Sequence, residues 1–70
     1  MSAVSRGQKD IAAGMAETIM RQRQNDFKEA AATFALNPSD LVRDVLQETI
    51  EALQDARETQ RAVAEWEVTP

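Results

Sequence analysis

The sequence predicts an all-α protein in which two long helices fold back on each other as an antiparallel hairpin. Apolar residues recur at helical spacing in both halves of the chain, which indicates two amphipathic helices. Alanine is abundant while Leu, Ile, Val and Phe are scarce, a composition that favours helix but supplies little core. Residues 36–41 read Leu-Asn-Pro-Ser-Asp-Leu, a segment that ends one helix and starts another. We expect oligomerisation or a partner protein to complete this hairpin.

The first helix is expected to span about residues 6–35. Ser5 has the hydroxyl of an N-cap, and Gln8 three positions later completes a capping box. No glycine closes the helix, so its end is weakly marked. Gly14 lies inside the helix and costs about 1 kcal/mol relative to alanine. The small residues around Gly14 would let another helix approach closely, and a tolerated glycine or a slight kink explains it equally well.

The break between the helices is predicted from its capping residues. Asn37 is the expected N-cap of the second helix, because Pro38 keeps the residue before it out of the α region. Pro38 would then take the first helical position, where its missing N–H costs nothing. Asp40 would take the third, near the positive end of the helix dipole. Leu36 and Leu41 would pack together as a hydrophobic staple.

The remaining boundaries follow from that break. The turn is expected at about residues 36–37, and the second helix at about 38–67. Thr69 and Pro70 are expected to form a frayed end. Seventy residues are too few for more than one domain, so residues 1–70 are expected to form a single helical hairpin.

The side chains that face each other between the helices follow from a spacing of about 100° per residue. In helix 1 they are predicted to be Ala13, Ala16, Met20, Gln24, Phe27, Ala31 and Phe34. In helix 2 they are predicted to be Val42, Val45, Leu46, Thr49, Ile50, Leu53, Ala56, Gln60 and Val63. Folding the chain at the break brings Phe27 near Val45 and Leu46, so the larger side chains meet close to the turn.

Charge is distributed unevenly between the two halves. Residues 1–35 carry five basic and four acidic side chains, whereas residues 36–70 carry three basic and eight acidic ones. The hairpin is expected to bring Arg21 and Arg23 toward the acidic side of helix 2, which comprises Glu48, Glu51 and Asp55. Such surface ion pairs stabilise a fold only modestly.

A second apolar face is predicted on helix 1. Ile11, Met15 and Ile19 recur at four-residue spacing, roughly 100° to 180° away from the stripe that contains Met20. One neighbouring helix cannot cover both faces. We therefore predict that Ile11, Met15 and Ile19 bind another chain, and the alternative is a scattered apolar surface of no consequence.

Val63 and Trp66 are added to this predicted protein-binding set because they lie at the same end of the hairpin. Trp66 is the only tryptophan, and tryptophan is enriched among residues that dominate interfaces. A terminal tryptophan folded over the end of the hairpin, against Ala12 or Met15, is an equally good explanation.

The composition argues against several classes of function. The chain has no histidine, cysteine or tyrosine, so the commonest general base and the best nucleophile are missing. We expect no catalytic residues, no cofactor and no small-molecule substrate. Glu48, Glu51 and Asp55 share one side of helix 2, but a solvated acidic face explains them better than a metal site. No metal site is therefore expected.

Physical grounds also argue against nucleic acid and membrane as partners. The net charge is −4 at pH 7, whereas phosphate contacts require a basic surface. No apolar run approaches the roughly 18 residues of a membrane span, and the N-terminus lacks the order of a signal peptide. A cytoplasmic location is expected.

Two classes of function agree with these observations. The first is a small acidic interaction module, such as a chaperone, adaptor or inhibitor, that binds an apolar surface of a partner protein. The second is a structural subunit that associates with itself, as a dimeric four-helix bundle or a larger helical array.

The segment Asn37-Pro38-Ser39-Asp40, together with the overall size, resembles small helical-hairpin proteins of bacterial secretion systems and phages. Type III needle subunits are one such class. The resemblance implies a self-assembling subunit. It does not extend to the acidic C-terminal segment of residues 65–70, because needle subunits pack through an apolar C-terminal helix.

Overall fold

The protein forms the predicted antiparallel helical hairpin. The computed structural model describes residues 3–70, in which α1 spans Arg6–Leu36 and α2 spans Asp40–Ala64. Three residues, 37–39, connect the helices. An isolated β-bridge is the only extended pairing within the described part of the chain. The all-α fold class is therefore confirmed.

The start of α1 is capped as the sequence predicts. Ser5 has extended backbone dihedral angles, with φ −71° and ψ 158°. Its Oγ accepts a hydrogen bond from the backbone N–H of Gln8 at 3.1 Å, and the Gln8 Oε1 accepts one from the backbone N–H of Ser5 at 3.0 Å. This reciprocal pair satisfies backbone groups that would otherwise lack partners at a helix start.

The turn differs from the prediction by two residues. Asn37 closes α1, because its N–H still donates to the Thr33 carbonyl at 2.8 Å. Ser39 opens α2, and its Oγ accepts from the N–H of Val42 at 3.2 Å. The prediction that Asn37 caps the second helix is wrong, because the first helical hydrogen bond of α2 runs from the Arg43 N–H to the Ser39 carbonyl, at 2.9 Å. Asp40 consequently occupies the first helical position.

The predicted hydrophobic staple is absent. Leu36 is 90% exposed and Leu41 is 75% exposed, so neither is packed against a neighbour. A staple joins the residue before the N-cap to the fourth residue of the helix. With Ser39 as the cap, those positions are Pro38 and Arg43.

The core between the helices is thin. The buried side chains of the described residues are Ala16, Met20, Ala30, Ala56 and Val63. None of these is large except Met20, and the aromatic side chains Phe27 and Phe34 are half-buried. The chain alone therefore excludes little apolar surface from water.

The face that α1 turns toward α2 is shifted from the predicted stripe. Ala13 and Gln24 are exposed, whereas Ala12 and Arg23 are half-buried. The predicted stripe was centred on Met20, whereas at 100° per residue the buried side is centred about 40° from Met20, toward Ala16. This constant offset brings in Ala12 and Arg23 and leaves out Ala13 and Gln24. Gln60 of α2, which was also predicted to face α1, is exposed.

The ion pairs lie within helices. Arg21 pairs with Glu17 at 2.6 Å and Arg23 with Asp26 at 3.5 Å. The expected pairs between Arg21 or Arg23 and the acidic side of α2 are not formed in the described chain. Residues three or four apart on one helix are close neighbours, so these pairs form without any contribution from α2.

The end of the hairpin opposite the turn is closed by the terminal segments. Val4 and Val68 form a parallel β-bridge. The Val4 N–H donates to the Glu67 carbonyl at 3.0 Å, and the Thr69 N–H donates to the Val4 carbonyl at 2.8 Å. The prediction of a frayed end at Thr69 is wrong. The segment after α2 turns back and runs beside the residues that precede α1.

Lys9 adds a second connection at this end. Its Nζ donates to the carbonyls of Ala64 and Trp66, both at 3.0 Å. A positive charge is favourable at a helix C-terminus, where carbonyl groups lack helical partners. Helix α2 ends there, three residues before the predicted boundary at residue 67.

The hairpin is long and thin. It extends 53 × 18 × 11 Å, with a radius of gyration of 16.0 Å, whereas a compact domain of this length has about 11 Å. The chain exposes 5500 Å², and a compact monomer of 7.8 kDa exposes about 4,400 Å². The hairpin therefore exposes about 1,100 Å² more surface than a compact monomer of the same mass.

Candidate functional site

The predicted protein-binding face forms a shallow groove on α1. Ile11 is 67% exposed, Met15 61% and Ile19 39%. The groove is open to solvent, has a volume of about 450 Å³, and is lined by Asp10, Ile11, Gly14, Met15, Thr18, Ile19 and Gln22. We call these seven residues the α1 groove. Its exposed surface is mainly apolar, and its polar side chains are Asp10 and Gln22 at the two ends and Thr18 between them.

The α1 groove lies away from α2. Every residue that lines it belongs to α1, and the buried Met20 lies on the other side of the same helix. Met15 and Ile11 precede Met20 by five and nine residues, which at 100° per residue places them on the outer half of the helix. Helix α2 therefore cannot cover the groove in this fold.

Gly14 is at the centre of the α1 groove and is not required by the fold of the single chain. A Cβ atom added at Gly14 would meet nothing within 4 Å, and no described glycine has a positive φ. The helix continues through this position, and the Thr18 hydroxyl donates to the Gly14 carbonyl at 3.0 Å. The glycine leaves a hollow beside the projecting side chain of Met15.

Charged groups flank the groove on one edge. Asp10 lies at its N-terminal end. Arg21 and Glu17 form an exposed ion pair, with side chains 73% and 56% accessible. Among residues 3–70, Asp10 forms no ion pair. One edge of the groove therefore carries an unpaired carboxylate and, 11 residues further on, an exposed guanidinium.

The other two predicted binding residues lie elsewhere. Val63 is buried within the hairpin, so in this conformation it has no surface to offer a partner. Trp66 is 41% exposed, and its backbone is held by Lys9 and by a hydrogen bond from its N–H to the Val63 carbonyl at 3.1 Å. Neither residue lines the α1 groove.

A second, smaller cavity adjoins the groove on one side of the hairpin. It encloses about 220 Å³ and is lined by Ile19, Arg23, Ala52, Asp55, Ala56 and Thr59. Ile19 borders both cavities. Arg23 and Asp55 share this lining but do not form an ion pair, and the cavity is more polar than the α1 groove.

An exposed apolar patch at the turn was not predicted. Leu41 and Val45 are four residues apart on α2, and both are exposed. Sequence reasoning assigned Leu41 to the staple and Val45 to the helix interface. The only sequence signal for this patch is the N-cap. With Ser39 as the N-cap, Leu41 is no longer at the staple position and is left without a packing partner.

Other kinds of site are not found in residues 3–70. No three His, Cys, Asp or Glu side chains there are grouped so as to hold a metal ion. Neither helix has a stretch that is both long and apolar enough to cross a membrane. No family model matches the chain, and no curated protein or solved structure shows a significant match to it.

Proposed function

We propose that this protein is a helical-hairpin interaction module that binds another polypeptide through the α1 groove. The observation that carries the proposal is the exposure of Ile11, Met15 and Ile19 on the outer side of α1. Contiguous apolar surface of this kind on a small protein marks interaction sites. An amphipathic helix laid in an apolar groove is a common form of peptide recognition.

The surface area of the chain supports the proposal. The excess over a compact monomer is about 1,100 Å², and a standard protein interface buries about 800 Å² on each partner. One interface of ordinary size would therefore bury about three quarters of this excess area. The thin core supports the same conclusion, because association adds buried surface that the chain itself lacks.

The chemistry of the groove favours binding over catalysis. Its lining includes three aliphatic side chains and one carboxylate, Asp10, and the chain has no histidine or cysteine. None of these side chains is placed to activate a nucleophile, and the single carboxylate has no second titratable group beside it in the lining with which to form an acid–base pair. The proposed role is therefore that of a chaperone, adaptor or inhibitor that covers an apolar surface.

The second candidate is a self-assembling structural subunit. The arrangement of the groove favours it, because a hollow at Gly14 and a projecting Met15 lie side by side on one face. A surface with both features can match a second copy of itself.

The test compares two groove variants with a control. Met15→Ala and Ile19→Ala remove exposed side chains of the α1 groove. Leu36→Ala removes a side chain that is more exposed than either but lies outside the groove. Native mass spectrometry of the pure protein, followed by capture of binding proteins on each variant, measures association. Circular dichroism measures helix content.

We expect both groove variants to lose association while they keep most of their helicity. Leu36→Ala should bind as the unmodified chain does. The proposal would be wrong if association survives both Met15→Ala and Ile19→Ala, or if the unmodified chain neither associates with itself nor captures any protein that the groove variants fail to capture.

A further inference from the structure

We infer that the α1 groove is occupied by the same groove of a second copy, with the two α1 helices antiparallel. The inference rests on one part of the proposed function, that the α1 groove binds a polypeptide. It takes the second candidate, in which that polypeptide is another copy of this chain. Three features of the groove support it: the spacing of its residues, the hollow at Gly14, and the charges at Asp10 and Arg21.

The groove residues have the spacing of a helix-packing surface. A side chain of one helix inserts into a hole formed by four residues of its neighbour. Positions i, i+3, i+4 and i+7 form such a hole. The groove provides two, one formed by Ile11, Gly14, Met15 and Thr18, and one formed by Met15, Thr18, Ile19 and Gln22.

An antiparallel second copy fills both holes at once. If Met15 inserts into the first hole of the second copy, Ile11 comes level with the second hole. This follows because each step of four residues toward the N-terminus of one helix corresponds to about 6 Å toward the C-terminus of the other. The same contacts are repeated by symmetry, as in an isologous interface.

Gly14 allows the two helices to approach closely at the centre of this interface. Each glycine lies within one turn of the symmetry axis, and no atom of its own chain occupies the space beside it within 4 Å. A helix-interior glycine costs about 1 kcal/mol relative to alanine. The first hole is deeper because it contains Gly14, and it receives Met15 of the second copy. This contact explains why a glycine is present at a position where the single chain does not require one.

The charges on the edge of the groove select the antiparallel direction. With the helices antiparallel about this axis, Asp10 of one copy comes within about 2 Å, measured along the helix axis, of the level of Arg21 of the other. In a parallel pair, each residue is level with its own counterpart. Asp10 and Arg21 would then be separated by about 16 Å along the axis, which is beyond the reach of an ion pair.

The decisive experiment exchanges these charges. Asp10→Arg and Arg21→Asp each place like charges together at both ends of the interface. We expect each single variant to dimerise about tenfold more weakly than the unmodified chain at low salt, because complementary contacts become repulsive. The double variant, with both changes, restores the opposite charges and should recover to within about threefold. Sedimentation equilibrium measures the dissociation constants.

A cross-linking experiment reports the direction independently of affinity. Asp10→Cys and Arg21→Cys proteins are oxidised separately and as a mixture. The antiparallel pair predicts a disulfide-linked heterodimer in the mixture and little linkage of either variant alone. Circular dichroism verifies that all variants keep their helix content.

The outcomes separate this inference from the proposed function. A dimer that Met15→Ala disrupts but that responds to neither charge reversal overturns the antiparallel pairing while the groove remains a binding surface. Efficient disulfide linkage of the Asp10→Cys protein to itself would also overturn the antiparallel pairing. If the chain is a monomer at every concentration, the inference is also overturned. The proposed function is then tested separately, by whether the unmodified chain captures a protein that the Met15→Ala variant does not. Rescue by the double variant, with heterodimer linkage, supports the antiparallel pairing and the use of the α1 groove as a binding surface.

Discussion

Replacing Gly14 with alanine should have opposite effects on the single chain and on its association. In the single chain the added methyl group meets open space, and alanine is the better helix former by about 1 kcal/mol. For a chain of this size, 1 kcal/mol corresponds to a rise of about 4–8 °C in the melting temperature. Gly14→Ala should therefore stabilise the monomer.

In the proposed antiparallel dimer, the same methyl group would lie where the second helix approaches. Overpacking a close contact costs about 1–3 kcal/mol. Dimerisation of Gly14→Ala should accordingly be at least about fivefold weaker, even though the hairpin itself melts at a higher temperature. A change of opposite sign in two measurements cannot result from a general loss of folding.

The assay is thermal unfolding by circular dichroism at a dilution where the chain is monomeric, combined with sedimentation equilibrium at higher concentration. Gly7→Ala is the matched control, because Gly7 is also helical and has no neighbour within 4 Å of an added Cβ, but it lies outside the α1 groove. Unchanged dimerisation of Gly14→Ala would refute the close approach. A lower melting temperature of the monomer would refute the statement that the position is open.

Three further predictions concern the stability of the hairpin and can be measured by chemical denaturation. Met20→Ala should cost about 2–3 kcal/mol, enough to unfold much of so thin a core, and a cost below about 0.5 kcal/mol would contradict its buried position. Ser39→Ala should cost about 1 kcal/mol as a lost N-cap, whereas Asn37→Ala should cost less, and the reverse order would restore the turn predicted from the sequence. Lys9→Met should cost about 1 kcal/mol through its two lost hydrogen bonds and should accelerate amide exchange at Thr69, so unchanged exchange there would argue against the contact.

The sequence was sufficient to predict the elements that depend on local chemistry. The fold class, the start of α1 and the pairing of the two helices were predicted correctly. The capping box at Ser5 and Gln8 involves residues three positions apart, so no knowledge of the tertiary structure is needed to find it. The exposed face of Ile11 and Met15 could also be predicted, because one neighbouring helix cannot cover two sides of another.

The errors concern choices between close alternatives. Asn37 and Ser39 are both good N-caps, and only the geometry of the reversal decides between them. Three residues outside both helices let the chain reverse, and Asn37 remains bonded to the end of α1. The stripe facing α2 was misplaced at Ala13 and Gln24, because it was centred on Met20 while the buried side is centred about 40° away, less than half of the 100° step between neighbouring residues.

The contacts that join the two terminal segments to each other and to Lys9 could not be predicted. The Val4–Val68 bridge and the bonds from Lys9 join residues more than fifty positions apart. Backbone pairing of this kind depends on the two ends of the hairpin being level, which is determined by helix lengths and by the turn. A shift of three residues in the end of α2 was enough to hide it.

The bridge between Val4 and Val68 also means that the segments before α1 and after α2 leave the hairpin at nearly the same place. A short glycine-rich linker could join them, and the chain could be reopened between the helices at Pro38. Such a circular permutant would place α2 before α1 and keep every helix–helix contact. Tags fused to these two segments, by contrast, would emerge together beside Lys9, while the turn would remain free for labels or surface attachment.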